Sequence, residues 1–401
     1  MVAPQQARID EVAAQGRVIT VDGLQDPVHL VLSVLASGRE LTRDVREDRL
    51  PALRPGGDGL EASVAEERGE LGRTVERRAP DVVPFRTLHP CDDTRAVALS
   101  MPSRITIVEV APRDGLQAEE RTLPTAAKLD LLDRLADAGH TVIEATSFVS
   151  SKAVPQLADA DELMRRLKRR TGVRYTALVP NETGLERAMA CGVSEIAVFA
   201  SASESYSRKN LNRSRDEAIA GYGRVVRRAK DAGLRVRGYL SMVFADPWDG
   251  PTPAKTVIES SKKLLDHGCD DLSLGDTIGV GTPKDVTGLV DELRGADVPL
   301  DRIGFHFHDT YGQALADTLA AMSEGLTIFD ASTGGIGGSP FAKMAGGNLA
   351  TEDLVYMCRG MGIGTGVDLD KIVAASRWLG EQLGRELPAH VSRAQSAPQS
   401  R

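Results

Sequence analysis

Lysine is absent from the first hundred residues of this 401-residue chain, where arginine carries the positive charge. Cysteine is scarce throughout. The four present, Cys91, Cys191, Cys269 and Cys358, include no C-x-x-C pair. That argues against a disulfide framework and a cysteine zinc site, and it suits a reducing cytoplasm. Aromatic residues make up only 4% of the chain, too few for a base-stacking surface. The net charge is -8 and no long basic run occurs, so neither nucleic acid nor an anionic membrane is expected as a partner. No apolar run approaches the length that spans a bilayer, and no membrane span is expected. What the chain does have is 41% hydrophobic residues, enough for a large core.

The lysine-free part, residues 1–100, reads differently from the rest. Short apolar pieces such as Val28–Leu35 alternate with charged and Pro/Gly stretches, including Arg54-Pro55-Gly56-Gly57-Asp58-Gly59. It lacks the apolar core and cleavage site of a signal peptide, and it is too acidic for a transit peptide. Three readings stand: a disordered extension, a small accessory domain, or upstream sequence ahead of a natural start at Met101. We expect an extension without a packed core, followed by a domain over 101–385 and a polar tail over 386–401.

From Arg104 a unit recurs: a helix-period segment, a glycine, then a short apolar strand. Examples are Ala138-Gly139-His140-Thr141-Val142-Ile143, Cys191-Gly192-Val193, Ala232-Gly233-Leu234, His267-Gly268-Cys269 and Glu324-Gly325-Leu326. Each glycine is placed to take the left-handed position that ends a helix, and largely apolar strands suit a buried parallel sheet. The eight expected strands are 105–110, 141–147, 174–180, 195–202, 235–242, 271–277, 302–309 and 327–333. Helices fit between them at 124–138, 214–232 and 253–267, with prolines at 124, 253 and 283 suited to a first turn. Eight βα units in about 280 residues predict an α/β fold, a (β/α)8 TIM barrel, with one extra C-terminal helix, Leu369–Leu383. An open doubly wound sheet is the alternative, but the Gly-rich phosphate turn expected after its first strand is missing.

Active sites of such barrels lie at the C-terminal ends of the strands. Strand 1 ends in Pro112-Arg113-Asp114-Gly115-Leu116-Gln117, strand 2 at Glu144, strand 6 at Asp276 and strand 7 at His306-Phe307-His308-Asp309. Strand 8 runs into Gly334-Gly335-Ile336-Gly337-Gly338-Ser339 and then Asn348. Alternate strand residues share a face, so His306 and His308 lie roughly 7 Å apart along one side, within reach of one ion. Taken singly, Asp276 reads as a cap, Glu144 as an arginine's ion-pair partner and Asn348 as a turn residue. Together, two imidazoles, the Asp114 carboxylate and the Asn348 amide oxygen form a mixed N/O donor set, which favours Mg2+ or Mn2+ over structural zinc. Arg113 beside Asp114 places positive charge where an enolate oxygen would develop.

Residues 105–383 resemble the 3-hydroxy-3-methylglutaryl-CoA lyase family. The resemblance rests on Ile107-Val108-Glu109-Val110-Ala111-Pro112-Arg113-Asp114-Gly115-Leu116-Gln117, Glu144-Ala145-Thr146-Ser147-Phe148-Val149, Ser273-Leu274-Gly275-Asp276-Thr277-Ile278-Gly279, His308-Asp309-Thr310-Tyr311-Gly312-Gln313 and Gly347-Asn348-Leu349-Ala350-Thr351-Glu352-Asp353. It implies a divalent cation on Asp114, His306, His308 and Asn348. Arg113 is implied at the enolate, with Glu144, Asp276 and His306 in catalytic or supporting roles and Gln117 near the substrate. It further implies cleavage of a 3-hydroxy-3-methylglutaryl thioester to acetyl-CoA and acetoacetate by a homodimer. Related outcomes are another 3-hydroxyacyl-CoA as substrate, a Claisen-type synthase, or a non-catalytic paralogue. One departure stands out: the family carries a reactive cysteine in its Gly-rich loop, and here that position is Ser339. A thiol titrates near pH 8.5, whereas a serine hydroxyl does not titrate near neutrality and is a weak proton donor.

Overall fold

The computed structural model describes residues 101–338 and 347–396. The expectations for residues 1–100 and for Ser339 therefore lie outside the described residues. Eight parallel strands form a closed barrel: β1 (Thr106–Glu109), β2 (Val142–Ser147), β3 (Arg174–Leu178), β4 (Glu195–Ser201), β5 (Arg235–Ser241), β6 (Asp271–Asp276), β7 (Ile303–Phe307) and β8 (Ile328–Ala331). Each strand pairs with its sequence neighbours, and β8 closes on β1 with Thr106 opposite Ile328 and Glu109 opposite Ala331.

The connecting helices are α1 (Thr125–Asp137), α2 (Ala160–Arg166), α3 (Glu182–Ala190), α4 (Glu204–Leu211), α5 (Arg215–Asp231), α6 (Ala254–Asp266), α7 (Pro283–Gly295), α8 (Ala314–Ser323) and α9 (Thr351–Gly360). The punctuation read from sequence is what ends them. Gly139, Gly192, Gly233, Gly268 and Gly325 all take positive φ, a conformation that a side chain disfavours. Pro283 occupies the first turn of α7, and Pro124 and Pro253 stand one residue earlier, at the N-caps of α1 and α6. The extra helix α10 spans Leu369–Leu383, as expected. The chain continues beyond it into α11 (His390–Ser396), and Leu387 and Ala389 are buried. No described helix is long and apolar enough to cross a membrane.

One apolar core lies between strands and helices, holding Leu131, Leu135, Ile143, Val226, Leu264, Phe305 and Phe329 among others. Inside the barrel the filling is mixed. Val108, Val110 and Val142 form one apolar group, and Leu178, Ala197 and Tyr239 another. Two contacts cross the interior. Arg237 on β5 reaches Asp330 on β8 at 2.6 Å, and the Tyr239 hydroxyl on β5 donates to Glu144 on β2 at 3.1 Å. β5 is the neighbour of neither β8 nor β2, so both side chains must point inward. The interior thus carries charge below the C-terminal mouth, and each charge there needs a partner because isolated burial is costly.

Candidate active site

The first strand delivers its functional residues through an unusual turn. Ala111–Gly115 form one π-helical turn in which the N–H groups of Arg113, Asp114 and Gly115 all donate to the Val110 carbonyl at 3.1, 2.8 and 3.2 Å. Such turns are rare and tend to mark functional positions. Gly115 is required here, since a Cβ would lie 2.6 Å from the Ile336 side chain. The turn is held from below by Glu109, whose buried carboxylate accepts from the N–H of Ala111 at 2.9 Å and of Thr333 at 2.9 Å. It also accepts from the hydroxyls of Thr333 at 2.7 Å and Thr351 at 2.8 Å. Burial raises its pKa, and these four bonds oppose that shift.

Asp114, His306 and His308 bring one ligand-type atom each to within 4.8 Å of one another. The two imidazole centroids are 5.0 Å apart, and His306 Nε2 lies 3.8 Å from Asp114 Oδ2. His306 ends inward from β7, while His308 lies just past the strand in a bridge to Asn348. The Asn348 amide donates to Asp114 Oδ2 at 2.9 Å and to the Ile336 carbonyl at 3.1 Å. Its Oδ1 is buried with no hydrogen-bond partner among the described residues. An unpartnered buried oxygen is unfavourable unless something electropositive meets it. With a carboxylate and two imidazoles beside it, this donor set fits a divalent cation.

Arg113 turns inward against this cluster. Its guanidinium bonds Glu144 Oε2 at 2.6 Å and Asp114 Oδ1 at 2.5 Å, and it stacks over the Tyr239 ring at 5.2 Å. Burial disfavours its charge, but Glu144 and Asp114 more than offset this and raise its pKa. Burial acts on Asp114 in the opposite sense, and Arg113, His306 and His308 hold its carboxyl below the usual range. Burial likewise raises the Glu144 pKa despite Arg113. His308 is pushed down to about 4 by burial and by His306. Its Nδ1 lies 3.0 Å from the Asp276 carbonyl oxygen. A carbonyl only accepts, so Nδ1 carries the proton and Nε2 keeps its lone pair.

The structure brings together Arg113, Asp114, Glu144, His306, His308 and Asn348. Glu144 is indeed an arginine's partner, but Asp276 caps no helix: its carboxylate accepts from the loop N–H of Val280 at 3.2 Å and of Gly281 at 2.8 Å, ahead of α7, whose N-cap is Thr282. Asp276 thus reaches the cluster only through its backbone carbonyl. Gln117 is half-buried just after the π turn. Sequence reading passed over Tyr239, Arg237 and Asp330. Their signal was a polar side chain at an inward register in an otherwise apolar strand.

A closed barrel with a mixed imidazole–carboxylate centre and an inward arginine defines a class of barrel metalloenzymes. The family model described as HMGL-like matches residues 104–379, and the chain belongs to that family. It is 46% identical to the mitochondrial hydroxymethylglutaryl-CoA lyase of Bos taurus over 304 residues, covering 75% of this chain and 93% of that protein. It is also 46% identical to the cytoplasmic 3-hydroxy-3-methylglutaryl-CoA lyase of Danio rerio, covering 73% of this chain and 88% of that one. Among solved structures it resembles the Bacillus subtilis HMG-CoA lyase, with TM-score 0.72 and 43% identity over 74% of this chain and 99% of that one. An Acinetobacter baumannii HMG-CoA lyase in complex with coenzyme A and 3-methylmalate gives TM-score 0.70 and 34% identity over 74% of this chain and 96% of that one.

Proposed function

We propose that this protein cleaves 3-hydroxy-3-methylglutaryl-CoA to acetyl-CoA and acetoacetate. The observation that carries the reading is the convergence of Arg113, Asp114, His306 and His308 at one mouth of the barrel. Asp114, His306, His308 and Asn348 would hold Mg2+ or Mn2+. When bound, the ion supplies positive charge that polarises the substrate's tertiary hydroxyl and an adjacent carboxylate or carbonyl oxygen.

The chain's own part follows from charge. The hydroxyl must lose its proton to a carboxylate or imidazole of this cluster. The C2–C3 bond then breaks, leaving acetoacetate and the enolate of acetyl-CoA. Arg113, pinned by Glu144 and Asp114, offers its guanidinium to the enolate oxygen without having to reorganise. The enolate carbon finally takes a proton. Ser339 occupies the position of the family's loop cysteine and is a weaker acid for that step. The reading places the enzyme in the cytoplasm as a homodimer. The scarcity of cysteine supports the compartment, and the family resemblance supports the dimer.

The test follows acetoacetate from 3-hydroxy-3-methylglutaryl-CoA with Mg2+ or Mn2+ present. Wild type should turn over, and His306→Ala should lose roughly 10²–10⁴-fold in kcat, the range for removing an acid–base group. Ser339→Cys should raise kcat. Wild type that is silent while still binding Mn2+ would sink the assigned substrate.

A further inference from the structure

The two histidines of the centre are held from behind in different ways. His308 donates Nδ1–H to a neutral acceptor, the Asp276 carbonyl oxygen. Behind His306 stands a charged group: Asp330 Oδ2 lies 3.2 Å from His306 Nδ1. Asp330 is buried on β8 with His306 as its register partner on β7, so the backbone itself sets the two side by side.

Asp330 is in turn fully determined. The Ser273 hydroxyl on β6 donates to its Oδ2 at 2.7 Å. The Arg237 guanidinium, reaching across the barrel from β5, donates to its Oδ1 at 2.6 Å. The other arm of Arg237 donates to Asp271 at 2.7 Å. These bonds keep Asp330 a carboxylate in a dry interior, and an ionised carboxylate only accepts hydrogen bonds. The proton of a neutral His306 must therefore sit on Nδ1. Nε2, the atom 3.8 Å from Asp114, is left with its lone pair facing the centre.

We propose that Asp330 is a positioning residue of the metal centre. Held by Arg237 and Ser273, it fixes the Nδ1–H tautomer and ring orientation of His306 and strengthens Nε2 as a ligand. This rests on the reading of Asp114, His306 and His308 as metal ligands. Partners of this kind are worth about 10- to 100-fold in metal affinity. In Asp330→Asn the amide can donate to Nδ1, which would move the proton to Nε2 and block coordination.

The first readout is the tautomer of His306 in the metal-free protein, from long-range proton–nitrogen spectra of isotope-labelled histidine at alkaline pH. Wild type should show Nδ1–H, whereas Nε2–H in wild type overturns the proposal. The second is Mn2+ affinity, read by electron paramagnetic resonance for wild type, Asp330→Asn and Asp271→Asn. Both variants disturb the Arg237 ion pairs, but only one touches His306. Asp330→Asn should weaken Mn2+ binding about 10- to 100-fold, and Asp271→Asn should leave it unchanged. Equal weakening in both, or none in Asp330→Asn, also overturns the proposal. Should Asp330→Asn fail to fold, the wild-type tautomer decides alone. Wild type that binds no Mn2+ would refute the metal centre itself, a result separate from the tautomer.

Discussion

Arg113 is held on two sides by carboxylates, and that fixes what its loss would do. In Arg113→Met the enolate oxygen loses its charge partner, and Glu144 and Asp114 face one another unneutralised. We expect kcat to fall roughly 10²–10³-fold, the usual loss for one preorganised charge-stabilising group, with a smaller change in KM. Steady-state kinetics on acetoacetate release checks this. Asp317 on α8 offers a prediction about stability. Its carboxyl is pushed up to about 7 by burial and by the charges of Asp276, Asp285 and Asp309, and its Oδ1 has no hydrogen-bond partner among the described residues. The folded protein therefore holds this proton more tightly than the unfolded chain does. The group's contribution is most favourable below the ordinary carboxylate pKa and declines as pH rises towards about 7. Asp317→Asn should raise Tm at pH 8 and change it little at pH 4, read by thermal unfolding at both. At this scale the residues proposed as ligands were legible, because His-x-His and Arg-Asp place them side by side along the chain. Asp330, Arg237 and Tyr239 stayed hidden. Their partners lie 24 to 95 residues away: strand pairing sets Asp330 beside His306, and barrel closure brings Arg237 and Tyr239 to theirs.

At the scale of elements, the helix-ending glycines carry unequal burdens. Gly233 has φ +77 and open space around its missing Cβ, whereas Gly139 has φ +104 and a Cβ there would lie 2.2 Å from the Gly366 carbonyl oxygen. Gly233→Ala should cost only the left-handed penalty, about 1–2 kcal/mol. Gly139→Ala should cost distinctly more, because the obstructing atom is backbone and cannot swing aside. Denaturant unfolding of the two variants ranks them. Strand positions were legible for a related reason. Each helix announces its end with a glycine, and a buried parallel strand is a short apolar run directly after it. The hairpin Ala245–Asp246 with Gly250–Pro251 was not legible, since two-residue strands carry no periodicity. Neither was α11, whose packing depends on Glu352 accepting from Ser392 and on Asp353 accepting from the backbone of His390 and Val391.

For the whole molecule, the family match runs over residues 104–379 and the described strands close into a complete barrel. The fragment 101–401 should therefore fold on its own and keep its turnover, checked beside the full chain by calorimetry and acetoacetate release. Loss of folding in the fragment would assign residues 1–100 a structural role. The barrel as a whole was readable from its eightfold repetition. Its charged interior was not, because a residue's inward register is fixed only once the strands have closed.

Glu109 also has a history in time. Its carboxylate is made with the first strand, yet Thr333 and Thr351, which bind it, follow 224 and 242 residues later. On a chain growing from its N-terminus, the Ala111 N–H is the only one of its four hydrogen-bond donors made early, and water must meet the rest of the carboxylate meanwhile. The first strand therefore cannot become dry before the last one arrives. The Arg113–Asp114 turn that Glu109 supports is among the earliest parts made and among the last to be fixed in place.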